Sequence, residues 1–187
     1  HGAGQREPWF YGDEAEAIIK KWLAWRYQLI PYLQACALEA SQNGLPVMRA
    51  MPLAFPEDPL AWGFEEQYML GPSLLVVPVL VPENKVRFYL PAGGWYDLWS
   101  GERFEESQLI ERTVPLDHIP VFGRSGTVLP LGPAVQHTGE LDPDFHLSEV
   151  WAFGELNEGI TLPGLELSVG NGMISNLPDN VQVKIWK

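Results

Sequence analysis

The sequence predicts a mixed fold: a helical, βα-like part up to about residue 72, then antiparallel β-structure to the end. Apolar residues at 15, 18, 19, 22, 23, 29, 30 and 33 recur with helical spacing. From residue 74 onward, short apolar runs are punctuated by proline or glycine about every 8–12 residues, the signature of an antiparallel sandwich or barrel. A third observation is a deficit. A helix followed by one strand has too few neighbours to bury its apolar face, so the first 70 or so residues read as the end of something larger.

The elements follow in order. Residues 1–12 (HGAGQREPWFYG) are glycine-rich, broken by Pro8 and without period, and read as a loop. Asp13 is expected to cap a helix, with Glu16 completing a capping box. Pro31 interrupts the run, so either one kinked helix of about 30 residues or two shorter helices meeting at Pro31 are expected. Gly44 is a natural C-cap. Residues 46–55 read as a short strand and a proline-rich turn, and 64–70 as a brief helix closed at Gly71. Strands are expected at 74–81, 86–90, 95–99 (after a Gly-Gly turn), 107–114, 121–122, 127–131, 149–153 and 165–169, and at 181–186, where VQVKIW alternates strictly.

Composition excludes several functions. Twelve Lys and Arg face 24 Asp and Glu, and no Lys or Arg falls between Arg124 and Lys184, a stretch holding eight acids. Such a surface repels phosphate backbones and anionic lipid, so neither nucleic acid nor membrane is an expected partner. Neutral substrates are compatible. The single cysteine, Cys36, rules out a disulfide within the chain and reads as a small core residue. No apolar stretch approaches the roughly 18 residues of a bilayer span, and the chain opens at His1 in a loop, unlike a native start. Eight tryptophans suit both a sugar-stacking pocket and a packed β-sandwich.

Five ordered blocks then carry a resemblance: RYQLIPYLQACALEA (26–40), GLPVMRAMPLAFPEDP (44–59), EEQYMLGPSLLVVPVL (65–80), YLPAGGWYDLWSGE (89–102) and PLDHIPVFGRSGTVLPLG (115–132). Together they resemble glycoside hydrolase family 31. The resemblance implies the C-terminal end of a (β/α)8 barrel over residues 1–72, a proximal antiparallel β domain over 73–137, and further strands of a reduced distal β domain over 138–187. In it, 13–44 resembles the helix before the eighth barrel strand, 46–51 that strand, and 65–70 the closing helix. It also implies a retaining enzyme removing α-linked glucose or xylose from oligosaccharides or glycosides. Its nucleophile and acid/base aspartates lie on barrel strands upstream of these blocks. Retention needs two carboxyls about 5–5.5 Å apart, and neither family motif for them occurs here, so no catalytic residue is assigned and the chain alone is expected to be inactive. One substrate-binding residue carries over: His1, opening the loop that runs to Arg6-Glu7-Pro8-Trp9, resembles the family histidine that hydrogen-bonds sugar hydroxyls in the −1 pocket. In the isolated chain no role is expected of it.

The remaining features read as structural. Glu57-Asp58 are turn acids, and Arg49 is expected in a salt bridge. His118 is expected to bond neighbouring backbone, while His118, His137 and His146 lack ligand spacing, so no metal is expected. Gly2, Gly4, Gly93 and Gly94 are turn glycines without a phosphate-loop or dinucleotide pattern, and no cofactor is expected. Ser125 in GRSG lacks a nucleophile elbow. Trp95 and Trp99, at alternating positions, are expected to share one face and pack. A severed barrel end leaves apolar patches, so self-association through the 13–41 helix is expected. The alternative is a carbohydrate-binding or scaffold β-sandwich.

Overall fold

The computed structural model describes residues 4, 6–141, 147–156, 161–162, 164–170 and 173–187. His1, Gly2 and His146 lie outside the described residues.

Two helices open the chain, α1 (Asp13–Gln28) and α2 (Ile30–Asn43). Asp13 is the first helical residue, while Gly12, at φ 92°, holds the N-cap without a side-chain bond, so the expected capping box does not form. The acids Asp13, Glu14 and Glu16 instead sit in the first turn, where the amide ends of the helix favour negative charge. The proline produces two helices, parted at Leu29. Pro31 then falls in the first turn of α2, where its missing N–H leaves no bond unmade. Gly44 ends α2 in the left-handed region at φ 79°, donating to the Ala40 carbonyl.

Next come β1 (Met48–Ala50), the one-turn α3 (Met51–Ala54), β2 (Tyr68–Leu70) and β3 (Leu74–Val76). The helix expected at 64–70 is overturned. Tyr68–Leu70 is a strand with β1 and β3 as neighbours, and antiparallel pairing on both sides outweighs local preference. Gly71 turns the chain at φ 59°, and a Cβ there would collide with Tyr32 and Cys36. The long strand expected at 74–81 is ordered as strand only to Val76, ahead of Pro78, which has no N–H to offer a ladder.

The following strands are β4 (Lys85–Leu90), β5 (Trp95–Asp97), β6 (Arg103–Phe104), β7 (Gln108–Thr113), β8 (Val121–Arg124) and β9 (Thr127–Leu131). The last are β10 (Glu149–Phe153), β11 (Thr161–Leu162), β12 (Leu165–Gly170), β13 (Met173–Ser175) and β14 (Gln182–Trp186). They form a six-stranded sheet ordered β1-β2-β3-β8-β5-β6, antiparallel throughout, which draws strands from both sides of residue 72. Smaller sheets are β14-β10-β9, β11-β12-β13 and the β4-β7 ribbon, and among the described residues only the β10–β14 pair runs parallel.

The six-stranded sheet divides two cores, because successive side chains alternate faces. Met69, Leu75, Trp95 and Phe122 join Met51, Phe88 and Leu90 in one. Leu74, Val76, Tyr96 and Val121 join Leu29, Tyr32, Cys36, Leu129 and Phe153 in the other. A third, smaller core holds Ala35, Val128, Val150 and Ala152 against Leu167 and Val169. Trp95 and Trp99 therefore do not share a face. The strand ends at Asp97, Trp95 lies in the first core, and Trp99 turns to the second, its indole N–H donating to Ile119 O at 2.7 Å. Among the described residues no helix is long and apolar enough to cross a membrane.

Candidate functional site

The chemistry-bearing side chains resolve into ties. Tyr32 is the deepest. Its hydroxyl donates to Leu70 O at 2.7 Å and accepts from Ser73 N–H at 2.9 Å, fastening α2 to the turn between β2 and β3. Beside it, burial pushes the Cys36 thiol up to about 11, as a small core residue requires. Arg49 on β1 donates to Glu39 Oε2 at 2.6 Å and to Pro46 O at 3.1 Å, the salt bridge its position suggested. In the proline-bounded turn, Asp58 accepts from Tyr89 Oη at 2.9 Å and from Leu60 N–H at 3.1 Å.

Asp97 is the buried carboxylate among the described residues. One oxygen accepts from the backbone N–H groups of Trp99 (2.9 Å) and Ser100 (3.2 Å), the other from Arg112 Nη2 at 2.7 Å. Arg112 also lies over the rings of Phe88 and Phe122, 5.5 and 5.4 Å from their centroids. Three donors thus satisfy a carboxylate that would otherwise be costly to bury. Nothing in the sequence pointed to this pair, since its members are 15 residues apart on different strands.

The 115–119 segment is tied to α1. Lys21 Nζ meets Asp117 Oδ2 at 3.1 Å, Trp22 Nε1 donates to Asp117 O at 3.2 Å, and His118 Nδ1 meets Asp117 Oδ1 at 2.7 Å. The bond from His118, then that from Lys21, holds the Asp117 carboxyl below its usual range. His118 thus bonds a neighbouring side chain rather than the backbone expected. Trp22, Trp25 and Trp99 contact one another edge to face at 5.4–5.8 Å.

Four carboxylates on these elements are engaged: Asp97 by Arg112, Glu39 by Arg49, Asp58 by Tyr89, and Glu149 by the Trp151 indole at 2.7 Å. Among the described residues no group of three His, Cys, Asp or Glu is placed to hold a metal ion. Surface clefts do exist. One of about 610 Å³ lies between the 63–67 and 77–87 segments, and others of about 370 and 280 Å³ flank the 115–119 segment, with His118 in the wall of both.

An antiparallel β body joined to a short strand and a helix pair does not by itself define an activity, and comparison with known proteins supplies the class. Residues 1–35 match the glycosyl hydrolases family 31 TIM-barrel domain, and residues 44–129 match the glycosyl hydrolase family 31 C-terminal domain. The chain belongs to glycoside hydrolase family 31. It is 41% identical over 130 residues to an α-xylosidase of Saccharolobus solfataricus, aligning 67% of this chain and 18% of that protein. It is 34% identical over 146 residues to α-glucosidase 2 of Bacillus thermoamyloliquefaciens, with 78% and 18% aligned. Among solved structures, a Flavobacterium johnsoniae dextranase complexed with glucose superposes with a TM-score of 0.74 at 34% identity, covering 85% of this chain and 20% of that one. The chain spans about 18% of the length of these curated relatives.

Proposed function

We propose that the chain is the C-terminal portion of a retaining α-glycosidase that removes terminal α-linked glucose or xylose. In this reading, residues 1–72 complete a catalytic (β/α)8 barrel. Residues 73–137 form a proximal β-sandwich domain, and 138–187 add the strands of a reduced distal one. The observation that carries it is the matching of two domain models of one family in chain order, over 1–35 and 44–129. The names of the relatives, an α-xylosidase and an α-glucosidase, support the substrate class.

The chemistry follows from what retention demands. A nucleophile and an acid/base carboxyl must face each other about 5–5.5 Å apart across the scissile bond. Neither family motif for these aspartates occurs in the sequence, and Asp97, Glu39 and Asp58 are consumed by structural ties, which supports placing that pair on barrel strands outside this chain. What the chain contributes is a buttress: α1 and α2 are bonded into the β body through Lys21, Trp22 and Tyr32, and β1 through its pairing with β2. His1 is assigned the substrate contact, donating to sugar hydroxyls in the −1 pocket more strongly as charge develops on the ring.

The 187-residue chain should give no turnover of aryl α-glucosides or α-xylosides, and activity should appear only when it is joined to the rest of the barrel. Turnover by the chain alone would overturn the reading. In the joined enzyme, His1→Ala should lower kcat/KM by about 10²-fold. Leu23 and Leu38 are exposed on the two helices, as is Met48 on β1, so the isolated chain should self-associate. A strictly monomeric chain in sedimentation at high concentration would count against that part.

A further inference from the structure

The cleft of about 370 Å³ beside the 115–119 segment differs in chemistry from its neighbours. Its lining contains no Asp, Glu, Lys or Arg, whereas the larger cleft is lined by Glu65, Glu66, Lys85 and Arg87. Three polar side chains border it: Tyr68, Asn84 and His118. Among the described residues, neither the Tyr68 hydroxyl nor the Asn84 amide has a hydrogen-bond partner, and the histidine is engaged only through Nδ1. Apolar wall is supplied by Val76, Leu116 and Ile119.

We propose that this cleft binds a single neutral pyranose ring, as a second carbohydrate site separate from the catalytic pocket. The polar groups match a sugar's needs. A phenol and an amide both donate and accept, and an imidazole whose Nδ1 is engaged by Asp117 keeps Nε2 for a hydroxyl, which can meet it as donor or acceptor. Hydroxyls of a pyranose do both, while its C–H face suits valine, leucine and isoleucine walls. The volume lies at the small end of the roughly 300–1,000 Å³ range of ligand sites, which fits one ring rather than a chain. The frame is fixed before any ligand arrives. Asp117 is held by Lys21 and Trp22, the Ile119 carbonyl by Trp99, and the Asn84 carbonyl by Val114 N–H at 2.8 Å. Burial raises the Tyr68 phenol's pKa, so it stays a neutral donor at ordinary pH.

The inference goes beyond the glycosidase reading, and its test reads binding rather than turnover, so failure here leaves that reading standing. The 187-residue chain, isotopically labelled, is titrated with methyl α-D-glucopyranoside, methyl α-D-xylopyranoside and, as a charged control, inorganic phosphate. Saturable shifts of the backbone amides of Tyr68, Asn84 and 116–119 are expected with one or both glycosides and none with phosphate. Tyr68→Phe removes only the hydroxyl, and Asn84→Gly removes the amide while keeping the left-handed backbone at φ 53°. Each should weaken binding about three- to tenfold. Linear or absent shifts with both glycosides, or affinities unchanged in both variants, would overturn the site. So would equal binding of phosphate. If Tyr68→Phe fails to fold, Asn84→Gly decides the matter.

Discussion

The two faces of the six-stranded sheet are closed in different ways. The first is covered by the β4-β7 ribbon, whose members belong to the same stretch of chain as the sheet, and is trimmed by cations on aromatic rings: Arg112 over Phe88 and Phe122, Arg124 over Phe55. The second is covered by α2 and by β9 and β10, with ties from the helices spanning 38 residues (Tyr32 to Leu70) and 96 residues (Lys21 to Asp117). One core is built from near neighbours, the other from both ends of the chain. The second should therefore loosen first when the helices are disturbed, leaving the first intact.

The largest expected effect is on the first face. Trp95 is fully buried and its indole N–H donates to Pro91 O at 2.6 Å, so Trp95→Ala should cost about 3–5 kcal/mol, read by denaturant unfolding. On the second face, Tyr32→Phe keeps the ring but strands the Leu70 carbonyl and Ser73 N–H, at about 2–4 kcal/mol. Cys36 sharpens the contrast. Its thiol stays neutral and shielded at pH 8, so alkylation in the native state should be slow, and Tyr32→Phe should speed it more than an equally destabilising change on the first face. Equal labelling rates in two such variants would show that the faces open together. Because the folded thiol titrates near 11 against an ordinary 9.0, its contribution to stability is whole below about pH 9 and is lost as pH rises through 11.

The smallest effect concerns the exposed tie. The Asp117 carboxyl is held below its ordinary 3.8 first by His118 and then by Lys21, so what it adds to stability is present above pH 3.8 and is lost as pH falls through the depressed value. In His118→Gln the carboxyl should titrate closer to its ordinary value, as followed by NMR. No upward movement would show that Lys21 alone sets it.

Much of this architecture was legible in the residues. The strands at 127–131 and 149–153 match their expected bounds, because alternation there coincides with burial on two different cores. The 64–70 segment was misread because Tyr68, Met69 and Leu70 fit a helix as readily as a strand, and pairing across 20 or so residues of chain decides between them. Two-residue strands such as β6 carry too few positions for any period to appear. The tie set was the least legible. Asp97 with Arg112, and Lys21 with Asp117, join residues that nothing local relates. His1, the one substrate contact expected, lies outside the described residues.

The order of the six-stranded sheet also bears on synthesis. β8 sits between β3 and β5, so a strand made late in the sequence fills a central place. As the polypeptide leaves the ribosome, β1 to β3 can pair as a local meander and β5 with β6 as a hairpin, but the two halves have no shared ladder until Val121–Arg124 emerges. Until then β3 and β5 each present an open edge, a template for pairing with other nascent chains. Premature release before Arg124 should yield aggregation-prone products, whereas chains carried past it close the gap themselves.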